Sequence, residues 1–580
     1  MTLTTLDWMI LAAYFVVSAA IGLWYSSRGG RSVNEFFLTG RSLPWWLAGT
    51  SMVATTFAAD TPLAVAGLVA RNGIAGNWIW WSAASGSMLT VFFFARLWRR
   101  AGILTDVEFA ELRYSGRPAA ILRGFRALYL GLPINCVIMG WVNLAMGKIL
   151  SITLGWDELT AVFVSLGITG IYSALSGLWG VVVTDFAQFV FAMLGTIALA
   201  WFALNLPQIG GLNGLIAQVP SGTLDFVPAF SGDLAARAAV VSLPLASFLT
   251  YVTVQWWASW YPGQEPGGGG YVAQRMMSAK DERHSLFATL WFTIAHYCVR
   301  PWPWIIVGLV SMVLYPTITD KEAGYAMVMR DHLPSGWRGL LLGAFFAAYM
   351  STLSTQLNWG TSYIINDFYR RFLKCDGTER HYVWASRVTT IVLMLISAVV
   401  TFYLESIRQA WEFVLESGAG IGLVLILRWY WWRINAWSEI AAMIGAAVGY
   451  AALKVFTTLA FPYTLLAVVA WTTLCWVVVT FATPPEPDSK LIEFYRRTHP
   501  DGPGWRRIAR QAGMSQTGTL GWLFVDWIAG VVVVYAVLFG VGYALFGGIA
   551  QTLVCFAIAI FAIGVMSLDL SRRGWDTITK

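Results

Sequence analysis

Four hydroxyls interrupt the apolar stretch AFFAAYMSTLSTQLNWG, at Ser351, Thr352, Ser354 and Thr355. On a helix, Ser351, Ser354 and Thr355 share one face by three- and four-residue spacing, and Ala348, Ser351 and Thr352 line the adjoining one. Such a surface offers several oxygens without a full buried charge, which is what a small, hard cation takes as ligands. The same residues also suit close helix packing, with each hydroxyl bonded back to a carbonyl one turn earlier. An acidic partner is available at Asp185, in SALSGLWGVVVTDFAQFVFAML. A carboxylate within a membrane is costly, so Asp185 should face a partner or a cavity rather than lipid. At about 1.5 Å per residue, Asp185 lies roughly 9 Å and Thr355 roughly 15 Å from the same membrane face, which permits contact. The plainer alternative is that Asp185 bonds Thr184 or a nearby backbone group at headgroup depth.

The elements that must hold these groups are membrane helices. Of 580 residues, 57% are hydrophobic and only 12% are charged, with a mean hydropathy of +0.62, which excludes an ordinary soluble enzyme. The excess of Lys and Arg, 38 against 31 acids, is spread between apolar spans rather than gathered in a patch, so it reads as topology and not as nucleic-acid binding. The cysteines Cys136, Cys298, Cys375, Cys475 and Cys555 fall in no disulfide or zinc pattern. No Lys or Arg precedes the first apolar run, whereas Arg28 and Arg31 follow it, so it reads as an uncleaved helix.

With about 20 apolar residues per span, the sequence predicts an all-α polytopic membrane protein of about 15 transmembrane helices. Residues 1–43 form a leading helix and loop, 44–431 a helical core, 432–482 additional helices, 483–525 a basic cytoplasmic loop, and 526–580 a helix pair with a tail. Alternate loops carry the positive charge, at Arg99 and Arg100, at Arg275, Lys280 and Arg283, at Arg370 and Arg371, and at Arg496 and Arg497. The positive-inside rule then places the N-terminus outside and the C-terminus inside. The membrane expected is the bacterial cytoplasmic (inner) membrane.

Two spans are predicted to be broken. In the second, Thr55, Thr56, Asp60 and Thr61 come just before Pro62, which lacks a donor and crowds the preceding turn, freeing carbonyls near 54–58. The seventh carries Pro244 and ends in Trp256, Trp257, Trp260 and Tyr261 before Pro262. Paired interrupted helices in corresponding positions point to a transport site at the bilayer midplane.

Four segments together resemble the sodium:solute symporter family, whose members include bacterial proline, sialic acid and sugar cotransporters. They are NEFFLTGRSLPWW, SGLWGVVVTDFAQ, YVAQRMMSAKD, and AAYMSTLSTQ followed by NDFY. The resemblance implies a five-plus-five inverted-repeat core preceded by one helix, and sodium as the coupling ion, one or two per cycle. It implies a main sodium site from the carbonyls of Ala54, Phe57 and Ala348 with the hydroxyls of Ser351 and Thr352. A second site, found in only some relatives, would use Asp185, Ser351, Ser354 and Thr355. The solute would lie near Asp60, Thr61, Asn77, Trp260, Tyr261, His296, Trp411 and Glu416.

The resemblance does not extend to the solute. Sugar-carrying relatives have Gln before the Glu at position 416, where this chain has Leu415, and the stretch PGQEPGGGGYVAQR is longer and richer in Gly than the family's usual pattern. Arg300 lies deep in its helix, where it either reaches outward or pairs with Glu412 or Glu416, a structural role favoured over contact with the solute. The reading is therefore a sodium-coupled symporter of a small polar organic solute working by alternating access in a lipid bilayer, with no nucleic-acid partner and no enzyme activity. A transporter-derived sensor would normally carry a soluble domain, and a membrane-embedded enzyme would need a catalytic constellation that the five dispersed His residues do not form.

Overall fold

The computed structural model describes residues 3–29, 41–103, 105–175, 178–228, 242–259 and 266–573, and the chain is all-α with one isolated bridge, Leu43 to Ala279. Every apolar stretch predicted to span carries helix. Among the described residues, 10 helices are long and apolar enough to cross a membrane, and two more spans are bent pairs. The remaining stretches carry Thr5–Gly29, Glu158–Leu175 and the helical run 245–258.

The first bent pair is Trp45–Thr55 with Asp60–Asn72, at 62°. The first half ends because Thr56 turns its hydroxyl onto the Val53 carbonyl at 2.8 Å, and Phe57 N–H takes the Ala54 carbonyl at 2.9 Å. Pro62 sits in the first turn of the second half, where its missing N–H leaves no bond unmade. Both halves lie against the Glu282–Leu314 span. A Cβ on Gly49 would stand 2.5 Å from the Ala288 carbonyl oxygen, and one on Gly308 would stand 2.9 Å from Ala66 Cα. Small residues here let the backbones approach, as membrane helices do where no hydrophobic drive separates them from lipid.

The seventh span is interrupted elsewhere than at Pro244. Pro244 precedes the helix as its extended N-cap (φ −57°, ψ 133°), and the helical run 245–258 is separated by residues 259–269 from a second short helix, Gly270–Ser278. The described part of the glycine-rich stretch, residues 266–269, lies before that helix, and Trp260, Tyr261 and residues 262–265 lie outside the described residues.

A further break was not anticipated. Ile407–Ser417 and Ile421–Tyr430 meet at 52°, across Gly418, Ala419 and Gly420. Gly420 has φ +88°, and a Cβ there would fall 2.6 Å from Thr472 Cβ. Its N–H is taken by the Ala258 carbonyl at 2.8 Å. The end of one interrupted span is thereby bonded into the break of another.

The leading helix is tied to the hydroxyl-bearing Trp337–Ser362 helix through Asp7, whose Oδ1 accepts from Gly336 N at 2.8 Å and Gly339 N at 2.9 Å. These are N–H groups that a helix start leaves unpaired. The basic stretch 483–525 is more ordered than a loop. It contains Asp488–Thr498 and Arg506–Gln511, and its Phe494 and Trp505 are buried around the Arg113 guanidinium, 5.3 Å and 5.0 Å from the ring centroids. The Leu520–Leu545 helix packs on the third span, with Trp527 Nε1 donating to the Ser85 carbonyl at 2.9 Å and Tyr535 Oη to the Trp81 carbonyl at 3.0 Å.

Candidate ion and solute site

The hydroxyl face of Trp337–Ser362 meets both the bend of the second span and Asp185. Thr352 Oγ1 donates to the Thr55 carbonyl at 3.3 Å, so the ninth span touches the end of the broken helix directly. Ser351 Oγ donates to Asp185 Oδ1 at 2.6 Å. Ser51, one turn before Thr55, donates to Asp185 Oδ2 at 2.7 Å. All four side chains are buried. Ser354 bonds back to the Ser351 carbonyl at 3.1 Å, the packing role open to it from the sequence. Ala54, Phe57, Ala348 and Thr355 are buried in the same region.

A cation already stands beside this cluster. Arg275, on Gly270–Ser278, is fully buried, reaches within 3.5 Å of Ser51 Oγ and of Thr55 Oγ1, and is close enough to Asp185 for the two charges to attract. Sequence reasoning counted Arg275 only as a loop charge and missed Ser51. The clue to Ser51 was its four-residue spacing from Thr55, and no local pattern announces Arg275. The oxygens that meet here, hydroxyls and helix-end carbonyls with one carboxylate, suit sodium by type.

The solute candidates divide. A cavity on the other side of the bend is lined by Thr55, Thr56, Asp60, Thr61, His296, Arg300, Thr352 and Trp411, together with Trp80, Trp141, Gln255, Trp256, Ser259, Tyr271 and Gln356. The structure therefore brings Asp60, Thr61, His296 and Trp411 together. Asn77 and Glu416 are not in that lining. Asn77 is buried behind it, its Oδ1 accepting from Trp80 Nε1 at 2.9 Å and its Nδ2 donating to the Ile74 carbonyl at 3.0 Å. Glu416 pairs with Lys454 at 3.3 Å.

Arg300 pairs with neither glutamate, because Glu412 is taken by Arg408 at 2.6 Å and Glu416 by Lys454. Instead Arg300 Nη1 donates to Thr56 Oγ1 at 3.1 Å and to the Val53 carbonyl at 3.3 Å, and Nη2 lies 3.2 Å from His296 Nε2. With no proton to accept, the guanidinium assigns Nε2 as the acceptor. The ring proton then sits on Nδ1, 3.1 Å from Thr56 Oγ1. Arg300 and His296 thus hold the bend of the second span open toward the cavity.

Residues 36–449 match the sodium:solute symporter family. The chain belongs to that family. It is 26% identical over 506 residues to the sodium/glucose cotransporter of Vibrio parahaemolyticus, covering 81% of this chain and 91% of that one. To sodium/glucose cotransporter 1 of Oryctolagus cuniculus it is 25% identical, covering 77% of this chain and 70% of the relative. Among solved structures, a Na+-coupled sialic acid symporter in a substrate-bound outward-open state superposes with a TM-score of 0.65 at 17% identity, covering 83% of this chain and 99% of that one. At that identity the likeness bears on the fold alone, an all-helical one shared over most of the chain.

Proposed function

We propose that this family member is a sodium-coupled secondary active symporter that imports a small polar organic solute by alternating access across the bacterial cytoplasmic membrane, N-terminus outside and C-terminus inside. The observation that carries the reading is one shared wall. Thr55 and Thr352, which touch each other across the bend at 3.3 Å, also line the solute cavity. An ion bound by Thr352 and by the carbonyls of Ala54 and Phe57, on either side of Thr55, would fix the bend, and with it the wall against which the solute rests. This is how one ligand can raise the affinity for another without contacting it.

Ala54, Phe57 and Ala348 carbonyls with Ser351 and Thr352 hydroxyls are the proposed main sodium ligands. Asp185, Ser354 and Thr355 are proposed for a second ion, in competition with Arg275 for the carboxylate's charge. Asp60, Thr61, His296 and Trp411 are proposed to touch the solute. Asn77 is proposed to act through Trp80, and Glu416 through the position of its helix.

The test is the thermal stability of the purified protein in sodium against equal potassium, since a ligand that binds only the folded state raises its apparent stability. Sodium should raise Tm in the parent and much less in Thr352→Val. Equal Tm in both salts, for both proteins, would remove the sodium-site reading.

A further inference from the structure

The solute cavity holds a set of buried polar atoms that are mainly acceptors, beside one indole N–H, that of Trp411. Asp60 Oδ1, Gln255 Oε1 and Gln356 Oε1 all lack a hydrogen-bond partner, as does Ser259 Oγ, and all four residues line that cavity. Buried polar atoms in native proteins are nearly always satisfied, so a cluster of orphans facing one space marks the outline of what fills it. Asp60 is only 3% exposed, and its carboxylate can only accept. Gln255 Oε1 is also fixed as an acceptor, because the amide Nε2 of that side chain donates to the Ile79 carbonyl at 2.7 Å. Asp60 and Gln255 therefore ask for at least two N–H or O–H donors.

Charge and aromatic surface narrow the donor further. Asp60 brings a negative charge to a wall that also presents the indoles of Trp80, Trp141, Trp256 and Trp411, and indole faces attract cations. The same cavity contains a compensating cation, Arg300, whose charge acts on Asp60. A ligand of single charge would leave the low-dielectric cavity with one net charge, whereas a zwitterion divides the existing pair between its own two ends. A polyol would supply donors but would neither use the carboxylate's charge nor answer the guanidinium.

Resting on the solute-site reading of this cavity, we infer that the transported solute is a zwitterionic amine with N–H donors, of the α-amino acid class. Its ammonium is received by Asp60 and Gln255 against the indole wall, and its carboxylate faces Arg300 and Ser259. The prediction departs from the glucose named for the two relatives above.

The experiment uses the full chain in detergent with saturating sodium. Thermal shift and then calorimetry are run with the proteinogenic L-amino acids, with D-glucose and D-mannose, and with the N,N,N-trimethyl derivative of whichever amino acid binds. At least one amino acid should bind, and its trimethyl derivative should bind about tenfold or more weakly, because it keeps the charge and loses the donors. Asp60→Asn should weaken the amino acid by about tenfold or more, the factor that loss of one hydrogen bond to a charged group carries. Arg300→Lys should weaken it while leaving the trimethyl discrimination in place. Binding of D-glucose or D-mannose with no amino acid binding would overturn the inference, as would no amino acid binding at all, a trimethyl derivative equal to its parent, or unchanged affinity in Asp60→Asn. The sodium-against-potassium Tm shift, measured without solute on the same samples, reports separately on the ion reading and on the folding of each variant. A retained sodium shift with no amino acid binding rejects the solute class alone.

Discussion

Ser351 gives its hydroxyl proton to Asp185, with Oγ 2.6 Å from Oδ1. This one bond links the two spans that the sequence offered as separate halves of an ion site, and it makes the carboxylate's environment depend on the ninth helix.

Ser351→Ala removes that donor and one proposed sodium ligand. A hydrogen bond to a charged group is worth about 1.5–3 kcal/mol, so the sodium concentration giving half-maximal stabilisation should rise by about tenfold or more. A sodium titration of Tm in the parent and the variant measures it. An unchanged midpoint would take Ser351 out of the ion shell.

Asp185 separates two accounts of its own role. If it holds a second sodium, reversal potentials in proteoliposomes give two ions per solute in the parent and one in Asp185→Asn. If its partner is Arg275 alone, the ratio is the same in both proteins. In that case Asp185→Asn strands a buried guanidinium, which destabilises by about 3–5 kcal/mol, and the added change Arg275→Gln recovers part of the lost Tm.

Glu322 joins three elements. Its Oε2 pairs with Lys148 Nζ at 2.8 Å and accepts from Ile407 N at 3.1 Å, while Oε1 accepts from Arg408 N at 3.1 Å, capping the helix Ile407–Ser417. Glu322→Gln removes the charge that faces both the lysine and the helix start. The expected cost is about 3–5 kcal/mol, as for breaking a buried pair, and Lys148→Met should cost less when added to it than alone. Additive losses in Tm would show that the two act separately.

Arg113 is held by three carbonyls, donating to Arg428 O at 2.9 Å and to Trp431 O and Trp432 O at 3.2 Å, and it carries the rings of Phe494 and Trp505. Lysine cannot reproduce this planar fork. Arg113→Lys should release the segment that contains Asp488–Thr498, which limited proteolysis between residues 499 and 519 will read as faster cleavage. A parental cleavage rate would mean that the segment is held by its aromatic residues alone.

Asn77 tests action at one remove. Asn77→Leu keeps volume and leaves Trp80 Nε1 without its acceptor, so solute affinity should fall while the sodium midpoint stays as in the parent. Equal shifts in both would place Asn77 in the general support of the bend.

Much of the architecture was legible in the sequence, because a membrane span announces itself by length and hydropathy alone. The break near 54–59 was legible for a similar reason, since Thr56, Asp60 and Pro62 are residues that a continuous apolar helix rarely gathers. What stayed hidden depends on neighbours. Pro244 carried the signal of a kink yet begins a helix, where the same missing donor is harmless. Gly418 and Gly420 looked like ordinary membrane glycines, and only the Ala258 carbonyl and Thr472 show why no side chain fits at 420. Arg275 resembled any positive-inside residue until Gly270–Ser278 folded it beneath Asp185. Asn77 and Glu416 were chosen for chemistry, and no local pattern announced Trp80 and Lys454 as their partners.

The attraction between the buried charges of Asp185 and Arg275 bears on which leg of the cycle the membrane potential drives. With the two charges facing each other, the ion-free site carries no net charge, and the return of the empty carrier moves none across the field. Each sodium then enters as an uncompensated positive charge, worth about 2.3 kcal/mol per 100 mV on full crossing. Voltage would press on the loaded inward step and leave the empty reorientation to thermal motion, so that turnover would stop rising with a more negative interior once the loaded step outpaces the empty return.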